Sequence, residues 1–279
     1  MSVRIVVDST ANMHESTLSQ VTVVPLNVNF GDETYIDGVT IDHKTFYEKL
    51  VTSDTLPKTS QPSPAAFAAV YEEAKQAGDD VVVLCISALL SGTCQSALIA
   101  AQDYDNVHVV DTMHVANSSG ILAEYALQLA KEGKSAQEIV DAVNAEREHV
   151  QLYALLDTLE YLEKGGRISK TAAFAGTLLS LKPMLCIKEG ALASMGKARG
   201  TKQGHQMLMK ELKAADIDFS KPYLLAYSGL NDDQLQAFLK TSDSIWPDGA
   251  QGVRTVPLCS VVGTHAGPGA VVATFFKKH

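Results

Sequence analysis

The sequence is short of several features that would point directly to a function. Its four cysteines, Cys85, Cys94, Cys186 and Cys259, form no C-x-x-C pair; this excludes a disulfide framework and a cysteine zinc site, and fits buried thiols in a reducing compartment. No apolar run approaches the length of a membrane span, so stable membrane insertion is not expected. Met1 to Arg4 lead straight into Ile5-Val6-Val7, which leaves no room for the apolar core of a signal peptide, and a cytoplasmic location is expected. Positive charge is also scarce. With 23 Lys and Arg against 32 Asp and Glu, the formal net charge is -9, a balance that phosphates repel, so a surface that grips nucleic acid or anionic lipid throughout is excluded.

Enzyme motifs are missing too. There is no G-x-S-x-G nucleophile elbow. Gly133-Lys134-Ser135 mimics the end of a phosphate-binding loop, but Gln128 stands where the first glycine is required and the segment follows a helix, not a strand. Gly267-x-Gly269 runs into Ala270-Val271-Val272, so a dinucleotide fingerprint fails as well. The histidines have no spacing that points to a metal, and no cofactor is expected.

What is present is a folded α/β protein. Hydrophobic residues make up 46% and charged residues 20% of 279 positions; that length is too great for one ordinary core and implies two lobes with a cleft between them. Val3 to Val7, Val81 to Ile86 and Val107 to Val110 read as buried strands. They alternate with helices over Pro64 to Gln76, Thr93 to Gln102, Val115 to Lys131 and Ser135 to Glu148. The alternation predicts a parallel sheet with helices on both faces, over residues 1–149. From residue 150 the pattern changes. Gln151 to Leu156 reads as a strand, Thr171 to Leu181 as a small-residue helix, and Met184 to Ile187 with Ala191 to Met195 as a hairpin around Glu189-Gly190. A helix over Lys202 to Lys213, a strand over Tyr223 to Tyr227, a helix over Asp232 to Lys240 and strands near Val253 to Val256 and Ala270 to Phe276 complete a mixed-sheet lobe, 150–279.

Open parallel sheets bind ligands at the carboxyl ends of their strands, and here those ends are rich in hydroxyls. Ser9, Thr10 and Thr112 read as turn and cap residues. Ser91-Gly92-Thr93, at a helix start, offers an anion backbone N–H groups, a favourable dipole and hydroxyl donors, although capping alone would also explain it. Thr59-Ser60-Gln61-Pro62-Ser63 brings further hydroxyls in an extended stretch, and His265 falls in a glycine-rich segment, Gly263 to Gly269, read as a loop. From Lys164 to Lys202 eight basic residues, Lys164, Arg167, Lys170, Lys182, Lys188, Lys197, Arg199 and Lys202, face one acid, Glu189. That is a net +7 within a chain of -9: either a solvated face or an anion site in which Arg167, after Gly165-Gly166, suits a carboxylate or phosphate.

These residues carry a resemblance. Val7-Asp8-Ser9-Thr10-Ala11-Asn12, Asp37-Gly38, Thr59-Ser60-Gln61-Pro62-Ser63-Pro64, Leu90-Ser91-Gly92-Thr93, Lys164-Gly165-Gly166-Arg167-Ile168-Ser169, Ala198-Arg199 and His265 to Gly269 follow the order and spacing of the DegV family. This family comprises bacterial cytoplasmic proteins that bind long-chain fatty acids and, in Gram-positive bacteria, serve as the acyl-carrier subunit of a fatty acid kinase. The resemblance implies two α/β domains, with the acyl chain in an apolar tunnel and its head group between the lobes. It implies that Thr59, Ser91 and His265 bind the fatty acid carboxylate, that Ser60, Gly92 and Thr93 support that loop, and that Arg167 and Arg199 meet the kinase or the acyl phosphate. Cys94 and Gln95 depart from the aromatic and polar residues often found there in relatives. The expected partners are a long-chain fatty acid and an ATP-dependent kinase, and the carrier itself is not an enzyme. The competing reading is a serine esterase or acyltransferase using Ser91 and His265, which the missing elbow and the lack of an obvious orienting acid oppose. A third reading, an interaction protein whose basic strip docks an acidic partner without lipid, would be favoured if solvent extraction released nothing.

Overall fold

A computed structural model describes residues 2–168 and 181–279. The first half runs β1 (Val3–Asp8), α1 (Glu15–Leu18), β2 (Thr22–Val24), β3 (Asn27–Phe30), β4 (Glu33–Ile36), α2 (His43–Thr52), β5 (Lys58–Ser60), α3 (Pro64–Ala77), β6 (Asp80–Cys85), α4 (Thr93–Ala101), β7 (Val107–Asp111), α5 (Asn117–Lys131) and α6 (Ala136–Glu146). The second runs β8 (Val150–Leu155), α7 (Glu160–Lys164), β9 (Leu181–Lys188), β10 (Ala191–Arg199), α8 (Gly200–Ala214), β11 (Leu224–Tyr227), α9 (Asp233–Ser242), β12 (Thr255–Pro257), α10 (Ser260–Ala266) and β13 (Val271–Phe276). The small-residue helix expected from Thr171 lies outside the described residues, as do Ser169 and Lys170; Leu181, its expected last residue, opens β9.

Local chemistry sets many of these boundaries. Ser63 Oγ accepts from Ala66 N at the start of α3, Pro64 occupies the first helical position without wasting a donor, and Gly78 closes the helix in the left-handed region. A reciprocal capping box between Ser135 and Glu138 starts α6. The turn between β9 and β10 puts both Glu189 (φ 51°) and Gly190 (φ 80°) at positive φ, the geometry that matches the twist of a tight hairpin.

In the first lobe β2-β1-β6-β7 form a parallel sheet. Its two faces follow the period of two. Val81, Val83 and Cys85 pack in one buried cluster with Phe67, Tyr71 and Ala97 from α3 and α4, whereas Val82 and Leu84 join Ile121, Leu122 and Ile139 from α5 and α6. The second lobe holds a mixed sheet, β10-β9-β8-β13-β11-β12, antiparallel except between β11 and β12. Here Tyr153 and Leu155 face a cluster containing Leu208 of α8 and Phe238 of α9, while Leu152 and Ala154 face the first lobe. The two-lobe α/β architecture, parallel then mixed, is the one the sequence implies.

Helix α5 joins the lobes. It packs on β1 and β6 of one sheet and on β8, β11 and β13 of the other. Asn117 Nδ2 donates to Leu224 O (2.9 Å) and Thr274 Oγ1 (3.0 Å) of the second sheet. On its other side Gly120 lets the helix approach the turn after β1 so closely that a Cβ there would stand 2.1 Å from Asn12 O. One apolar core therefore runs from Val7 and Leu84 through Leu122 to Leu152, Leu185 and Val272.

Two features depart from expectation. A third, antiparallel sheet, β4-β3-β5, shares a buried cluster with α2 through Val28, Phe46, Tyr47 and Leu50; its strands are short and polar at alternate positions, and the strand reading of the sequence does not include them. His265 sits in α10, not in a loop. Gly267 (φ 68°) and Gly269 (φ 86°) do form the turn after the helix, and two of the glycines also serve packing: Gly263 admits the Tyr47 and Phe46 rings and Gly267 the Tyr161 ring, each within 3 Å of where a Cβ would be.

Candidate functional site

The third sheet and α10 bring the expected hydroxyls and histidine together. On β5 the side chains alternate, so Lys58 and Ser60 are exposed while Thr59 turns inward. Its Oγ1 lies 3.0 Å from His265 Nε2 on α10. Ser91 stands just before α4, where its Oγ lies 2.8 Å from Thr93 Oγ1 and accepts from Thr93 N at 3.3 Å. Gln61 ties the two hydroxyl segments together: its amide donates to Ser96 Oγ at 2.8 Å and lies where a Cβ on Gly92 would fall, 2.1 Å from Oε1. Gly92 thus permits the contact, and Thr93 is buried beneath it. Ser60, by contrast, lies outside the cavity wall.

Thr59, Ser91, His265 and Arg167 line one cavity in which, among the described residues, the only other polar lining residue is Thr10. Its remaining wall is aliphatic and comes from both lobes. Leu152, Ala154 and Leu156 project from β8 and the residue after it. The register sets Leu185 of β9 and Val272 of β13 on either side of Ala154, which makes an apolar floor across three strands. Leu26, Leu90, Leu162, Leu258 and Val261 close the sides.

The electrostatics of the polar end are asymmetric. Burial pushes the His265 pKa down to about 4, and the nearby Arg167 charge adds to the effect, so the imidazole is neutral at pH 7. Its Nδ1 is buried without a hydrogen-bond partner and lies against Gly165, where a Cβ would come within 2.3 Å. Arg167 therefore supplies the one full positive charge among the described lining residues. Its guanidinium is fixed by donation from Nε to Leu90 O (3.3 Å) and from Nη1 to Gly165 O (2.8 Å), beside Ser91.

The remaining expectations divide. Arg199 is not among the residues that line the cavity. It closes β10 opposite Leu181, whereas Leu192 of the same strand lines the cavity seven residues earlier, about 20 Å away at strand rise. Nor is the basic segment one face: Lys182 is paired with Asp157, Lys164 with Glu160, and Lys188 lies at the hairpin end remote from Arg199. Cys94 turns into the Phe67–Tyr71 core and leaves the cavity alone. Cys85 and Cys94 are buried as expected, but Cys186 and Cys259 are partly accessible. The esterase arrangement is absent: His265 contacts Thr59 instead of Ser91, and no carboxylate orients its Nδ1.

Some of the site escaped sequence reading. Gln61 was visible only as part of a motif, and its role depends on a contact 35 residues away. Tyr161, packed on Gly267 beside His265, and the aliphatic wall carry no local signal beyond strand alternation.

Among the described residues no helix is long and apolar enough to cross a membrane, and no group of three His, Cys, Asp or Glu side chains is placed to hold a metal. A family model described as an uncharacterised protein of the DegV family matches residues 2–278. A DegV domain-containing protein of Deinococcus radiodurans is 35% identical over 276 residues, 97% of each chain. A solved DegV family structure from Thermus thermophilus, described by its fatty acid binding, superposes with a TM-score of 0.89 at 34% identity over all of both chains. The Streptococcus pneumoniae Fatty Acid Kinase (Fak) B3 protein, solved loaded with linoleic acid, shares the fold at a TM-score of 0.86 and 23% identity, again over all of both chains.

Proposed function

The chain belongs to the DegV family, and from that premise we propose that it is a cytoplasmic carrier that holds a long-chain fatty acid and presents its carboxylate to an ATP-dependent kinase. The observation that carries this reading is the aliphatic cavity whose single polar end gathers Thr59, Ser91, His265 and Arg167. A tail in that cavity supplies the affinity. Burying about fifteen methylenes at roughly 0.8 kcal/mol each amounts to about 12 kcal/mol gross, before association and ordering costs.

The polar end then fixes the head group. In the Nε2–H tautomer His265 donates toward Thr59 Oγ1, and the Thr59 hydroxyl proton is free to turn to a carboxylate. Ser91 and the Arg167 guanidinium approach from the other side. Two hydroxyls, a neutral ring and one cation hold a monoanion without an oversized charge, and the hydrogen bonds to it are of the stronger, charge-assisted kind. The carboxylate is itself the nucleophile toward a phosphoryl donor, so the carrier's part is to hold it exposed while the partner supplies the ATP. Arg167 stands at the mouth for that step, and Arg199, on the same lobe but outside the cavity, serves as a docking contact.

Reconstitution with a bacterial fatty acid kinase subunit tests the presentation step. Acyl phosphate, trapped by hydroxylamine as the hydroxamate, is expected with the wild type. Arg199→Ala should retain fatty acid while losing most of that product, Arg167→Ala should lose the product even at saturating fatty acid while weakening head-group binding by about 1 to 3 kcal/mol, and added salt should weaken partner docking. Full turnover in both variants would remove the arginines from presentation.

A further inference from the structure

Two of the four cysteines stand together behind the head-group loop. Cys85 ends β6 and Cys94 is the second residue of α4. Both belong to the buried cluster that holds Phe67, Tyr71 and Ala97, and their thiols are hydrogen-bonded to one another. The loop between them carries Ser91 to the polar end of the cavity.

The two thiols are not equivalent. The hydrogen bond runs from Cys85 to Cys94, so it holds the Cys94 thiol below its ordinary pKa and, together with burial, pushes Cys85 well above. The start of α4 adds to the asymmetry: Gly92 provides no side-chain cap, and the N–H groups of the first turn favour a thiolate on Cys94. Their anchoring differs as well. The Cys85 carbonyl accepts from Thr112 N (3.1 Å) and Thr112 Oγ1 (2.7 Å), and the N–H of the next residue, Ile86, donates to Asp8 (2.7 Å). The first turn of α4 is tied to its surroundings by side chains, Thr93 to Ser91 and Gln61 to Ser96. Closing the pair to a covalent S–S length of about 2.0 Å therefore moves the start of α4, with Ser91, and leaves β6 in place.

We infer that Cys85 and Cys94 form a reversible disulfide that loosens the hold on a fatty acid carboxylate by displacing Ser91. A peroxide supplies the oxidising power. Its O–O bond breaks as the Cys94 thiolate takes one oxygen to become a sulfenic acid, and the other oxygen leaves as hydroxide. The Cys85 thiol then attacks that sulfur; the S–S bond forms, and the sulfenic oxygen leaves as water with the Cys85 proton. A dithiol reductant reverses the step. Cys94 is 4% exposed and Ser91 and Gly92 beside it are half-buried, so the pair admits a small oxidant only. A bond of this kind suits a reducing compartment, where disulfides are transient and report redox state. Its effect on the ligand rests on the carboxylate site proposed above, whereas the disulfide itself does not.

Treatment of the delipidated protein with hydrogen peroxide, followed by alkylation and peptide mapping, tests the chemistry. The map should show a Cys85–Cys94 cross-link, with the intact mass lower by two hydrogens, and dithiothreitol should remove it. In Cys85→Ala the sulfenic acid has no partner and should be trapped on Cys94 as a dimedone adduct. Displacement of a bound fluorescent fatty acid tests the consequence. Palmitate should bind about tenfold more weakly to the oxidised protein, the scale of one hydrogen bond to a charged group, and 1-hexadecanol, which lacks the carboxylate, should be far less affected. Peroxide should leave palmitate binding unchanged in Cys94→Ser and in Cys94→Ala. If both thiols remain free to alkylate while palmitate binds normally, the inference is overturned and the carrier reading stands. A cross-link that leaves palmitate affinity unchanged, or weakens hexadecanol equally, also overturns it. If the cross-link forms and neither redox state takes up palmitate, the carboxylate site falls and the switch with it.

Discussion

The buried, neutral His265 makes a quantitative claim about pH. Its pKa falls from 6.5 to about 4 in the fold, which at roughly 1.4 kcal/mol per pKa unit is about 3 kcal/mol. The sign follows from linkage. Between pH 4 and 6.5 the unfolded ring binds a proton that the folded ring refuses, so the contribution is fully present above 6.5 and is lost as the pH falls toward 4. His114, pushed to about 4 by burial, acts in the same direction, whereas Asp8 and Asp37, whose pKa values burial raises, act in the opposite one. The difference between two proteins therefore carries the test. Urea unfolding of the wild type and of His265→Gln at pH 7, 6, 5 and 4.5 should show the wild type losing about 2 to 3 kcal/mol more than the variant over that span. A bound carboxylate beside Nε2 should also raise the ring's pKa, visible as titration of its NMR signals at higher pH in the loaded protein than in the empty one. Parallel pH profiles for the two proteins, with no ligand effect on the ring, would refute the buried, neutral imidazole.

Head-group recognition should depend on Thr59 and Ser91. Thr59→Val and Ser91→Ala should each weaken fatty acid retention by about 1 to 3 kcal/mol, the cost of a hydrogen bond to a charged group, measured by displacement of a fluorescent fatty acid; unchanged affinity in the double variant would remove both from the site. Filling the floor should abolish tail binding without disturbing the rest of the fold. Ala154→Phe projects a ring between Leu185 and Val272 and should lower affinity for sixteen-carbon acids far more than for octanoate, at a stability cost of about 1 to 3 kcal/mol. Equal loss for both chain lengths would mean that the tail lies elsewhere.

Much of the framework was legible because its signals are local. Val81 to Cys85 is apolar throughout since both faces are covered, Ser63-Pro64 and Gly78 bracket α3, and Glu189-Gly190 marks its hairpin within one residue. The third sheet was not legible. Asn27-Val28-Asn29-Phe30 and Lys58-Thr59-Ser60 are too short and too polar to register as strands, and they are held by pairing with each other across about thirty residues. His265 was found through its motif but given the wrong backbone, because Gly263 looks like a loop former until the Tyr47 and Phe46 rings that need the space are in view. Arg199 shows the limit from the other side. The resemblance sets it with Arg167 at the exposed end, and it stands at the end of β10 opposite Leu181, outside the residues that line the cavity.

The central claim is that the cavity between the lobes holds a fatty acid through its tail and its carboxylate. Native mass spectrometry of the protein purified from a bacterial host, paired with mass analysis of its organic extract, tests this most directly. The account predicts a near one-to-one complex with a fatty acid of about fourteen to eighteen carbons, a tail long enough for the methylene burial worked out above. An extract that contains only polar metabolites, or a protein whose mass shows no bound ligand before and after exposure to palmitate, would contradict it.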